Sequence, residues 1–183
     1  MSIVTIYQED QPDEIIAQVD DMAVIVEALS KLGVRYERWD TKELSDNMSD
    51  NEVLEAYSSD IERLKDEGGY KSVDVIRLSP DSEQKCELRK KFLCEHIHSE
   101  DEVRFFVEGS GMFYLHIEDK VYMMLCQSGD LLCVPKGAKH WFDMGADPHF
   151  TCIRIFTSPD GWAAEYTGND IADNFPKFDK KAA

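Results

Sequence analysis

A chain of 183 residues with 43% apolar and 10% aromatic content is long enough for one domain with a sizeable core and too short for two. Its formal net charge of −17 excludes a surface that binds nucleic acid or anionic membrane, because phosphate contacts need clusters of Lys and Arg that are absent here. An anionic small molecule would have to be drawn in by a local positive feature, a metal ion or a single Arg.

No run approaches the ~20 apolar residues of a membrane-spanning helix, and the N-terminal MSIVTIYQEDQPDE lacks the basic and apolar regions of an export signal. The five cysteines, Cys86, Cys94, Cys126, Cys133 and Cys152, form no CxxC pair and read as reduced, mostly buried thiols. The expected compartment is the cytoplasm. With no sustained heptad and no long apolar edge, a monomer is the plain expectation.

In chain order, Ile3 to Tyr7 alternates weakly and is expected as an edge strand. Asp20 or Asp21 can cap a helix carrying Met22, Val24, Ile25, Val26, Leu29 and Leu32, which stops at Gly33. Val34 to Trp39 reads as a short strand. Asp50 can cap a second helix with apolar positions at Val53, Leu54, Tyr57, Ile61 and Leu64, ending at Gly68-Gly69. Val73 to Leu78 is a strand, and Ser82 to about Leu93 a third helix with a thin apolar stripe.

From Glu102 the character changes. EVRFFVEG, GMFYLHIED, KVYMMLC, DLLCVP, KHWFDM and FTCIRIF are short runs rich in Val, Ile, Phe and Tyr, broken by Gly-Ser-Gly, Glu-Asp, Ser-Gly-Asp, Pro-Lys-Gly and Gly-Ala-Asp-Pro. Closely spaced strands with such breaks imply an antiparallel sandwich or barrel. The polar tail after Asn169 ends in KKAA and is expected to fray.

His96 and His98 are two apart, so on an extended strand both imidazoles point to one face, and Glu102 shares their parity. Neutral imidazoles plus a carboxylate suit Fe(II), Ni(II), Mn(II), Zn(II) or Cu(II). His140 follows a strand, turn, strand pattern through Gly129, Pro135 and Gly137, which returns the chain antiparallel and can bring one more imidazole to the same ion. His116 and His149 are read as hydrogen-bonded structural residues rather than ligands. Arg104 has the parity of Glu102 and should face the pocket, either holding an anionic ligand or pairing with Glu95, Glu100 or Asp101. Phe142 has the parity of His140 and should wall the pocket, with Trp141 facing away. Glu95 and Asp101 flank the ligands and read as hydrogen-bonding supports.

HIHSEDEVRFFVEG resembles the first cupin motif and GDLLCVPKGAKH the second, with nineteen residues between Gly109 and Gly129. The second motif commonly finishes with Asn four residues after its His, where this chain has Met144. More closely, EHIHSEDEVRFFVEGSG, VPKGAKHWFDMG and IRIFTSPDGWAAEYTG resemble the acireductone dioxygenase family, with GVRYERW, GGYKSVDVI and the Leu88-to-Phe92 lead-in extending the likeness through nearly the whole chain.

The resemblance implies a mainly β cupin-type double-stranded β-helix, a jelly-roll barrel, with a few peripheral α-helices mostly in the N-terminal half. It would form one domain over 1–183: α/β decoration over about 1–90, the metal-binding barrel over about 70–165, and a flexible tail over about 170–183. It implies one Fe(II) or Ni(II) per chain on His96, His98, Glu102 and His140, which fill four octahedral positions and leave two for a chelating ene-diol. The implied reaction is cleavage of 1,2-dihydroxy-3-keto-5-methylthiopentene by O2 in methionine salvage. Fe(II) would give 2-keto-4-methylthiobutyrate and formate, and Ni(II) methylthiopropionate, formate and CO. The likeness gives Arg104 the task of generating or holding the substrate dianion, Glu95 a part in metal loading, and Asp101 a part in relaying conformational change. Phe92, Phe142 and Trp162 are candidates for enclosing the methylthioalkyl chain. Another cupin enzyme (an isomerase, a decarboxylase or a different dioxygenase) and a non-catalytic small-molecule-binding cupin remain the alternatives.

Overall fold

The computed structural model of the chain describes residues 2–45 and 48–178. Strand β1 (Ile3–Gln8) turns tightly into β2 (Gln11–Val19), pairing Val4 with Val19 and Gln8 with Gln11. β2 runs through Pro12, Asp13 and Glu14, residues that disfavour a strand. It forms on the template of β1 and leaves Ile15 and Ile16 exposed. β1 is therefore an interior strand and not the expected edge.

Helix α1 (Met22–Lys31) is capped by Asp21, whose carboxylate accepts from the Ala23 and Val24 amides. It buries only Ile25 and Leu29; Met22, Val24 and Val26 stay exposed. Strand β3 (Arg35–Arg38) follows. The helix expected from Asp50 is two helices, α2 (Asp50–Ala56) and α3 (Ser58–Gly68). The cap is Ser49, in a reciprocal capping box with Glu52. The chain breaks at Tyr57, whose ring is fully buried edge-on to Phe105 and whose hydroxyl accepts from the Lys42 amide. Strand β4 (Ser72–Leu78) leads to α4 (Lys85–Phe92), which starts later than expected because the Ser82 hydroxyl closes the preceding turn on the Ser79 amide.

The remaining strands are β5 (His96–Ile97), β6 (Glu102–Ile117), β7 (Lys120–Gln127), β8 (Asp130–Val134), β9 (Lys139–Asp143), β10 (Phe150–Phe156) and β11 (Glu165–Tyr166). Two strands are expected from Glu102 to Ile117, separated at Gly-Ser-Gly, but β6 is continuous over 16 residues. A bulge there sets Phe106 opposite Cys152 and Glu108 opposite Thr151, leaving Val107 over. Gly109 sits beside it at φ +74, where a Cβ would lie 1.9 Å from the His149 carbonyl oxygen. The bulge lets β6 serve two arms of one antiparallel sheet. Its first half pairs with β8 and β10, extended by β3 and β4; its second half pairs with β7 and β9, extended by β1, β2, β5 and β11.

Strand alternation sorts the side chains into three cores. Phe106, Phe113, Leu115, Leu132, Val134, Phe142, Phe150 and Cys152 fill the interior. On the opposite face of β6, Val103, Phe105 and Val107 join Leu131, Ile153 and Ile155 beneath Val53, Tyr57, Ile61 and Leu64 of the helices. A third cluster packs Tyr7, Tyr114 and Trp141 beneath Ile171, Ala172 and Phe175. The segment after Asn169 is thus docked as far as Phe178, whose amide donates to Asp143 Oδ2 (2.8 Å), rather than frayed. The last five positions, 179–183, lie outside the described residues.

Candidate metal centre

β5, β6 and β9 converge at one end of the interior. His96 pairs directly with His140 across β5 and β9, His98 lies just beyond β5, and Glu102 opens β6. His96, His98 and His140, all buried, can each place one ring nitrogen within 4.8 Å of the others, and they are the single such set among the described residues. Ring centroids are 4.4 Å apart for His96 and His140, 5.1 Å for His96 and His98, and 5.3 Å for His98 and His140.

The three rings are oriented alike. Nδ1 donates to a backbone carbonyl in each: Cys94 for His96 (2.7 Å), Ala163 for His98 (2.9 Å) and Ala138 for His140 (2.9 Å). That fixes the tautomer and leaves each Nε2 lone pair free to ligate. Burial and the neighbouring His140 push His96 down to about 4; burial likewise lowers His98. His96 and His98 are therefore held neutral, as ligation needs.

Glu102 stands beside the three rings. Its Oε2 is 3.1 Å from His140 Nε2 and 3.9 Å from His98 Nε2, while Oε1 accepts from Arg104 Nε (2.9 Å) and lies 2.8 Å from Nη2 of the same guanidinium. Burial opposes its ionisation, but the positive charge of Arg104 outweighs that and holds the carboxyl well below its usual range. His98 is neutral at ordinary pH, so its approach to Glu102 is not an ion pair. With His140 Nδ1 donating to Ala138, His140 Nε2 and Glu102 Oε2 face each other as two acceptors, and a proton or a cation between them resolves the clash. His98 Nε2 is buried without a hydrogen-bond partner. Both observations fit a divalent ion held by His96, His98, His140 and Glu102.

Arg104 faces the same space and pairs with Glu102 rather than with Glu95, Glu100 or Asp101. Its Nη1 is buried and unpartnered. Three rings surround the guanidinium, with centroids 5.1 Å (Phe142), 5.4 Å (Phe113) and 5.8 Å (Phe92) away. Phe92 and Phe142 are thereby brought together, edge to face at 6.1 Å. Trp162, in contrast, is 55% exposed on the turn after β10. Trp141 faces away from Phe142, stacked on Tyr114. Glu95 points away from the imidazoles, to His116 and Thr167. Asp101 accepts from the Lys136 amide (2.9 Å), and the adjacent Gly137 amide donates to the His98 carbonyl.

Sequence reasoning missed Phe113, the Ala163 carbonyl, and Tyr166, whose ring lies 6.0 Å from His96. Phe113 has the opposite parity to Glu102 and Arg104, and the Val107 bulge is what turns it inward. A backbone carbonyl such as that of Ala163 leaves no trace in residue identity.

The chain is similar to known proteins along nearly its whole length. The model of the ARD/ARD' family matches residues 3–164. An acireductone dioxygenase of Hahella chejuensis is 50% identical over 180 residues, covering 98% of this chain and 97% of its own. One of Aquifex aeolicus is 51% identical over 181 residues, covering 98% of each. Among solved structures, acireductone dioxygenase from Bacillus anthracis, with a cadmium ion in its active centre, superposes with a TM-score of 0.80 at 30% identity, over 91% of this chain and 98% of that one. The chain belongs to the ARD/ARD' family.

Proposed function

We propose that this protein is a metal-dependent dioxygenase that cleaves acireductone, 1,2-dihydroxy-3-keto-5-methylthiopentene, with O2 in methionine salvage. The observation that carries the reading is the set of three buried imidazoles turned alike by backbone carbonyls, with Glu102 beside them and the free Nη1 of Arg104 facing the same space. His96, His98, His140 and Glu102 would hold one Fe(II) or Ni(II). A bound divalent ion supplies Lewis acidity and a fixed point for two adjacent substrate oxygens.

The chain's own residues supply the rest. Arg104 offers an unpaired N–H to an enediolate oxygen and favours the dianion by opposite charge. Phe92, Phe113 and Phe142 exclude water around the guanidinium, which strengthens that attraction, and give the methylthioalkyl tail an apolar wall. The carbonyls of Cys94, Ala138 and Ala163 keep the Nδ1 protons in place while substrate binds. Glu95 supports metal loading and Asp101 couples the ligand segment to the turn at Lys136.

The four donors serve either metal, so the product branch follows the ion loaded. Fe(II) protein gives 2-keto-4-methylthiobutyrate and formate; Ni(II) protein gives methylthiopropionate, formate and CO. We further read it as a cytoplasmic monomer. Its five cysteines are unpaired, and no helix among the described residues is long and apolar enough to cross a membrane.

The test strips the protein with chelator, reloads it with Fe(II) or Ni(II), adds acireductone anaerobically and then O2. Formate should form with both metals and CO with Ni(II) alone. O2 uptake no faster than spontaneous substrate oxidation with either metal would refute the assignment.

A further inference from the structure

β5 is the most lightly tethered part of the centre. It is two residues long and meets β9 at the single pair His96↔His140 and β11 at two pairs, yet it carries His96 and leads into His98. A chain of side chains outside the interior pins it. The Glu95 carboxylate, wholly buried, accepts from His116 Nδ1 (2.6 Å) at Oε2 and from the Thr167 hydroxyl (2.7 Å) at Oε1. Its backbone carbonyl accepts from the Thr167 amide (3.1 Å). The far nitrogen of the His116 ring, itself almost fully buried, lies 2.6 Å from Glu9 Oε2. Glu9 is fixed in turn, its amide donating to the Asp119 carbonyl between β6 and β7.

We infer that His116 and Glu9 are positioning residues for the metal centre, acting on His96 through Glu95. Glu95 lies between the two groups that set the ligand's geometry: the Cys94 carbonyl, which accepts the His96 Nδ1 proton, and the His96 imidazole. Holding the Glu95 side chain holds both of its peptide planes. His116 can do this because it sits on β6 next to Leu115, which pairs with His140 in β9. The same strand therefore references two of the three imidazoles. Without the His116 donor, the buried Glu95 carboxylate keeps only Thr167 as its side-chain partner and will move toward water. His96 and its orienting carbonyl move with it.

This rests on the proposed metal site, and Co(II) binding separates the two claims. Affinity is measured by chelator competition, the Co(II) ligand-field spectrum is recorded, and the metal-free protein is melted, for wild type, His116→Phe, His116→Gln, Glu9→Ala and, as a control, His149→Gln on the exposed surface. His116→Phe should weaken Co(II) roughly 10–100-fold and change the spectrum, as loss of an outer partner of a ligand does. His116→Gln, whose amide can still donate to Glu95, should recover most of that. Glu9→Ala, a surface change compatible with folding, should weaken binding in the same direction by less. Co(II) affinity and spectra equal to wild type in both His116→Gln and Glu9→Ala, with His116→Phe either equal as well or altered only in its melting, would overturn the inference. Wild-type protein that binds no Co(II) would overturn the metal site, and this role with it.

Discussion

Arg104 donates from Nε to one oxygen of Glu102 at 2.9 Å, with Nη2 2.8 Å from the same atom, and the other oxygen faces His140 at 3.1 Å. In the metal-free protein that pair keeps a buried carboxylate charged. Arg104→Ala should therefore destabilise the metal-free form by about 3–5 kcal/mol, the usual result of stripping one partner from a buried ion pair. Metal should restore most of the loss, because it takes over as counter-ion, and metal content should persist. Turnover should still fall roughly 10²–10³-fold for want of the donor to the substrate anion. Thermal melts with and without chelator, beside kcat, check this; equal melting of wild type and variant without metal would contradict it.

The lowered His96 makes metal-free stability depend on pH in a defined direction. Its folded value of about 4 lies below the ordinary unfolded value near 6.5, so between those limits the unfolded chain binds a proton that the folded chain does not. Stability from this residue is full above about pH 6.5 and declines as pH falls toward about 4, by on the order of 3 kcal/mol in all. Melting the chelator-treated protein across that range should show the slope, and His96→Gln should flatten it. A metal-free stability independent of pH there would contradict the burial argument.

Gly111 has no unusual backbone conformation; its lack of a side chain makes room. A Cβ there would sit 2.3 Å from the Phe142 ring. Gly111→Ala should push that ring against Arg104 and Phe113 and cost about 1–3 kcal/mol as overpacking. It should also raise KM for acireductone more than for an analogue with a shorter tail. Unchanged discrimination between the two substrates would remove Phe142 from the tail's wall.

Asp143 is wholly buried and accepts from Arg89 of α4 at 2.7 and 3.0 Å, from the Gly145 amide and from the Phe178 amide. It ties the helix bearing Phe92 and the C-terminal segment to the strand bearing His140. Asp143→Ala should cost about 3 kcal/mol or more and open the segment after Asn169 to protease. Proteolysis no faster than in wild type would show that the apolar contacts of Ile171 and Phe175 suffice.

The candidate cluster was legible through parity: His96, His98, Glu102 and Arg104 all stand at even positions, and the structure brings their side chains to one space. Phe142 and Trp141 sort to opposite faces by the same rule. Legibility fails where tertiary context overrides that parity. The bulge at Val107 inverts parity before Phe113, and a template strand recruits the polar stretch Gln11–Val19. Tyr57 breaks a helix to bury its ring. The docking of Ile171 and Phe175 was hidden in a polar tail, since their partners Tyr7, Tyr114 and Trp141 come from strands far off in the chain. Trp162 shows the converse, an aromatic residue beside the site in sequence and exposed in the fold.

The most direct test of the central claim is elemental analysis of the protein after loading with Fe(II) or Ni(II) and removal of excess, for wild type and for His96→Ala, His98→Ala, Glu102→Ala and His140→Ala. The site described here predicts one ion per chain in wild type and substantial loss in each variant, with the folded state retained by circular dichroism. Substoichiometric metal in wild type, or full occupancy in the variants, would contradict it.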